Sequence, residues 1–91
     1  MEVRTVETYP LYKGGVLSGR LICRQEGLYN LFRAECTDSG GGICRAYAVG
    51  EKGEVLLGVM EPNQGELRLI RRLSCRETEA AGPLRSCEVR S

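Results

Sequence analysis

The chain reads as an all-β domain: a small antiparallel sandwich of about seven short strands, with a small β-barrel as the alternative. Three observations predict this. Apolar and polar residues alternate with a period of two in several segments; clusters of Gly, Pro and Asn separate those segments at spacings of roughly 8 to 12 residues; and the segment of helix-favouring composition, 76–81, lasts under two turns. At 91 residues, 42% hydrophobic and 27% charged, residues 1–91 fit a single domain and fall outside the low-hydrophobicity, high-charge profile of disorder.

The elements follow in order. Residues 2–9 alternate weakly and end at Pro10, which predicts a short edge strand, and Lys13-Gly14-Gly15 is a turn. From Val16 to Glu26, Leu17, Gly19, Leu21 and Cys23 make an apolar face; Leu28 to Cys36 follows as its hairpin partner, with Phe32, Ala34 and Cys36 on one face. Thr37 to Gly42 is the longest turn-forming cluster and is expected to be an exposed, mobile loop. Ile43–Val49 and Glu54–Met60, joined by Gly50-Glu51-Lys52-Gly53, form a second hairpin placed at the centre of the domain. Tyr47 and Val49 are expected to face its core, and the second arm is expected to be covered on both sides.

Pro62 to Gly65 is read as a turn into the strand Glu66–Ser74, where Leu67, Leu69 and Leu73 form the apolar face, and Leu84–Arg90 is expected to close the sheet. A faint repeat at an offset of 39 residues, Val16-Leu17-Ser18-Gly19 against Val55-Leu56-Leu57-Gly58, suggests two similar hairpin units packed face to face. The core is expected on Leu17, Leu21, Phe32, Ala34, Tyr47, Val49, Leu57, Val59, Leu67, Leu69 and Leu73.

Composition excludes more than it identifies. Thirteen basic against twelve acidic residues give +1, so no global field draws the chain to an anionic membrane, and nucleic acid is disfavoured. The N-terminus lacks the pattern of a signal peptide and no run approaches a membrane span, which leads to the expectation of a cytoplasmic protein. Histidine is absent, which removes the commonest general base and the commonest metal ligand. Ser39-Gly40-Gly41-Gly42 lacks the Lys-Ser/Thr of a phosphate loop, and no metal or cofactor motif is present, so no catalytic residue and no cofactor is assigned. Cys23, Cys36, Cys44, Cys75 and Cys87 contain no CxxC pair and are expected to be reduced and buried, with a Cys75–Cys87 disulfide as the minority alternative.

What remains is an arginine pattern. Eleven of the thirteen basic residues are Arg, and Arg20-x-Ile22-x-Arg24 recurs as Arg68-x-Ile70-x-Arg72. Strand side chains alternate, so each triplet lies on the face opposite the leucines. With Tyr29, expected to be exposed at a strand start, Arg20, Ile22, Arg24, Arg68, Ile70 and Arg72 are the candidate partner-binding residues. The expectation is a non-catalytic protein-binding or scaffolding module whose partner is another protein or a second copy; a small enzyme using Cys and Glu, or a weak nucleic-acid-binding module, is the alternative.

Overall fold

The alternation is realised in eight strands and one short helix in the computed structural model, which describes residues 6–38 and 42–91. The strands are β1 (Val6–Lys13), β2 (Val16–Glu26), β3 (Tyr29–Thr37), β4 (Arg45–Gly50), β5 (Glu54–Val59), β6 (Glu61–Asn63), β7 (Glu66–Ser74) and β8 (Leu84–Arg90), with α1 (Cys75–Glu79) before β8. All eight belong to one sheet, in the order β5-β4-β8-β1-β2-β3-β7-β6, that curls into a nearly closed barrel. The all-β class holds, and its form is the barrel alternative, because the two sheets of a sandwich are here one continuous ladder. At the seam β5 packs on β7: a Cβ added at Gly58 would lie 3.5 Å from Leu69 Cδ1, ordinary van der Waals contact.

Both expected hairpins form, β2 with β3 and β4 with β5, but several placements differ. β1 is internal rather than an edge, lying between β2 and β8; Pro10 is tolerated because it precedes Leu11–Lys13, the stretch paired with β8. That pairing is parallel, and β8 does not close the sheet but joins its two halves in the middle. Pro62 and Asn63, expected in a turn, belong to the short edge strand β6. The 39-residue offset carries β2 onto β5, yet β2 pairs with β3 whereas β5 has no ladder with β7, so the hairpin is not repeated. The residues before Val6, and Ser39 to Gly41 of the Gly-rich loop, lie outside the described residues.

Leu21, Phe32, Ala34, Leu57, Leu67 and Leu73 are buried as expected, while Leu69 is only half-buried. The other positions fail for identifiable reasons. A bulge makes Ser18 an extra residue, with Leu11 opposite Gly19 but Tyr12 opposite Leu17, so the facing slips and Leu17 is 63% exposed. In β4 the alanines go inside: Ala46 and Ala48 are fully buried against Val89 and Cys87, and Tyr47 and Val49 are half-buried on the outer face. β5 is an edge strand and not covered on both sides; Leu57 and Met60 are buried, while Leu56 and Val59 are about half exposed. Its register slips against β4 between Ala46 and Tyr47, so burial no longer follows strict alternation.

All five cysteines are free thiols, three of them buried, and Cys75 and Cys87 are not joined. The connection after β7 is the single turn α1, started by the N-cap Ser74, whose Oγ accepts from Glu77 N at 3.1 Å and donates to Glu77 Oε1 at 3.2 Å. No helix of the described residues is long and apolar enough to cross a membrane.

Candidate partner-binding face

Strand order brings the two arginine triplets together. β2 and β7 both pair with β3, one on each side, and the registers coincide. Arg20, Glu35 and Arg68 form one row across the three strands; Ile22, Arg33 and Ile70 form the next; Arg24, Leu31 and Arg72 the third; Glu26, Tyr29 and Ser74 the last. These residues have the parity opposite to the buried Leu21, Phe32, Ala34, Leu67 and Leu73, so all lie on the outer surface of the barrel. With strands about 4.8 Å apart and a rise of about 3.4 Å per residue, the four arginines of the triplets mark a rectangle of about 10 by 13 Å. Arg33 sits at its centre, with Ile22 and Ile70 on either side.

All seven residues singled out in the sequence are therefore on one surface. Ile70 is 67% and Tyr29 49% exposed, while Ile22 and Arg24 are partly covered. Two further members, Leu31 and Arg33, share the face of β3 that carries Tyr29; their strand lacks the Arg-x-Ile-x-Arg pattern, and only the cross-strand register places them between the triplets. The same register brings Val6 opposite Arg24 and Thr8 opposite Ile22 on β1, which extends the apolar margin.

Electrostatically the face carries more guanidinium than carboxylate. Across the outer surfaces of β2, β3 and β7 stand five arginines (20, 24, 33, 68 and 72) and three glutamates (26, 35 and 66). Glu35 is shared by Arg20 at 3.6 Å and Arg33 at 3.8 Å, and Glu26 by Arg24 at 3.1 Å and Arg72 at 3.9 Å; Arg68 reaches Glu66 at 3.2 Å. Arg72 also lies over the Tyr29 ring, 5.9 Å from its centroid. Such exposed pairs contribute little to folding, about 0 to 1 kcal/mol each. Arg24 Nε is buried with no hydrogen-bond partner among the described residues, so this guanidinium is held in place by packing and by its terminal nitrogens.

Cys23, Cys36 and Cys87 occupy a different environment, on the inner surface. Burial pushes Cys23 up to about 11 and Cys87 up to about 12, and raises Cys36 as well. Cys23 lines a cavity of about 180 Å³ at one end of the barrel with Glu7, Tyr9, Gln25, Asn30, Thr78 and Leu84. There the Tyr9 hydroxyl donates to Glu7 Oε2, and burial together with that carboxylate raises the phenol above its ordinary value. A thiol so placed holds its proton at neutral pH, and the adjacent carboxylate opposes thiolate formation. No family model, curated protein or solved structure matches this chain.

Proposed function

We propose that this chain is a non-catalytic protein-binding or scaffolding module that docks another protein, or a second copy of itself, on the outer face of β2, β3 and β7. The observation that carries this is the common register, in which two separate Arg-x-Ile-x-Arg stretches and Arg33 make one surface of five guanidiniums around branched aliphatic side chains. Arginine is enriched at protein interfaces, and β-branched residues add apolar area at a small cost in side-chain entropy. Solvation alone would be served equally well by Lys, of which the chain has two against eleven Arg. Against the rival enzyme reading, Cys23 shares a cavity with the Glu7 carboxylate, yet its environment disfavours the thiolate that a nucleophile requires.

The test is sedimentation over a concentration series together with capture of bound proteins, for the parent and for Arg24→Glu combined with Arg72→Glu. A change of association or of partners in the folded double variant is expected. If both proteins are monomers throughout and the charge-reversed one keeps every partner, the face is not the contact surface. Rapid labelling of one thiol at neutral pH would instead favour the enzyme.

A further inference from the structure

Resting on that assignment of the face, we infer that its partner is a different protein presenting an extended segment of the pattern Glu-x-apolar-x-Glu, with an Asp equally able to supply either carboxylate. The charge count comes first. On β2, β3 and β7 five guanidiniums face three carboxylates, with a fourth, Glu61 of β6, opposite Arg68 at the margin; three of the five, Arg20, Arg33 and Arg72, approach a carboxylate no closer than 3.6, 3.8 and 3.9 Å, beyond hydrogen-bond reach. Each guanidinium has five N–H donors in a planar fork, so most of the donors on this face are available to acceptors brought by a partner.

Spacing specifies the pattern. In each triplet the two arginines lie four residues apart, about 13 Å, with an isoleucine midway. A strand laid along either triplet repeats at the same rise, so residues i, i+2 and i+4 on its lower face meet Arg, Ile and Arg in turn. The complement of Arg-x-Ile-x-Arg is therefore carboxylate, apolar, carboxylate at the same intervals. Arg33, on the midline between the triplets, is in reach of a partner seated on either side.

A second copy fits poorly. No two acidic residues of this chain stand four apart, so no strand of a second copy can present the complement, and stacking two such faces sets one guanidinium excess against another. A nucleic-acid strand also fits less well, because single-strand readers place aromatic rings under the bases. Here the central row is Ile22, Arg33 and Ile70, with Leu31 in the row beside it, and the ring of Tyr29 lies at one end with Arg72 over it, so no aromatic ring underlies the middle of the face.

The experiment is an amide-resolved NMR titration of the folded chain with the peptide Ser-Glu-Thr-Val-Thr-Glu-Ser, its Glu-to-Gln and Val-to-Ser counterparts, and decathymidylate. Sedimentation of the protein alone runs alongside. The expected result is saturable shifts confined to β2, β3 and β7 with the first peptide, weakened about tenfold or more by Glu-to-Gln and by raised salt. A smaller loss, about threefold, is expected with Val-to-Ser. The shifts should vanish in Arg20→Glu with Arg72→Glu, whose amide dispersion shows that it still folds. Equal binding of the Gln peptide, tighter binding of decathymidylate on these strands, or no shift with the first peptide overturns the inference. Dimerisation through this face also overturns it, while leaving the contact surface intact; loss of the surface itself is read separately, from the unchanged partner set of the charge-reversed protein.

Discussion

Arg90 on one outer face of the barrel and the arginines of β2, β3 and β7 on another are used in opposite ways. On the β5-β4-β8 side, Arg90 donates to both carboxylate oxygens of Glu54 at 2.8 and 2.6 Å and to Glu88 at 3.3 Å, and lies 4.5 Å from the centroid of the Tyr47 ring. The Glu54 carboxyl is held below its ordinary range by the Arg90 hydrogen bonds. One guanidinium there has two carboxylates and a ring, and it ties the last strand across β4 to the edge strand β5. On the β2-β3-β7 side, five guanidiniums share three carboxylates at looser distances. The lesson is one of stoichiometry: arginine saturated by its own chain acts as a strand clasp, whereas arginine in excess leaves donors for something else.

That contrast depends on a common inner core, and breaking the core should have the largest effect. Leu21→Ala beneath the arginine face and Leu57→Ala beneath the other are each expected to cost about 2 to 5 kcal/mol in urea denaturation. Val59→Ala, at a position 47% exposed, is expected to stay within about 0.5 kcal/mol. If Val59 costs as much as Leu57, the register slip in β5 is wrongly placed.

Next in size is Gly19→Ala, which tests the β2–β3 register directly. A Cβ at Gly19 would fall 1.9 Å from the Glu35 carbonyl oxygen and 2.7 Å from Cys36 Cα, so the two strands must separate. An expected loss of about 1 to 3 kcal/mol would be accompanied by displacement of Glu35, the carboxylate shared by Arg20 and Arg33. Parent-like stability would show that these strands are not so closely apposed.

A smaller effect comes from the thiols that lie under the two faces, Cys23 and Cys36 under the first and Cys87 under the second. Their folded-state values are raised above the ordinary 9, to about 11 for Cys23 and about 12 for Cys87. The folded state therefore binds more protons than the unfolded one between those limits. The contribution is fully present below about pH 9 and is lost as the pH rises toward 11 to 12. Denaturation midpoints measured from pH 8 to 11 should fall, and Cys87→Ala should flatten that decline more than Cys23→Ala, since Cys87 is the more deeply buried. A flat profile for the parent would mean that water reaches both thiols.

The smallest effect separates the clasp from the excess. Arg90→Ala should lower the urea midpoint slightly but measurably, because it removes the bidentate contact to Glu54; Arg33→Ala should leave the midpoint unchanged. A reversed order would make Arg33, rather than Arg90, the structural arginine.

Seven of the eight strands, two hairpins, the inward Phe32 and Ala34 of β3 and the inward Leu67 and Leu73 of β7 were legible from alternation and turn chemistry, because those are local properties of the backbone and of successive side chains. Each arginine triplet was legible in the same way, since residues two apart share a face whatever the strand pairs with. Strand order was not, and it alone decided that the triplets flank β3, that Arg33 joins them, and that β1 with its Pro10 is internal. The facing of Leu17 was likewise decided by a register shift of a single residue against a neighbouring strand. Tyr47 and Val49 turned outward because Ala46 and Ala48 fill the inside of β4 against β8, a choice that depends on the space left by the opposing wall. Alternation specifies two faces for each strand, and only the closing of the barrel determines which face is enclosed and which arginines become neighbours.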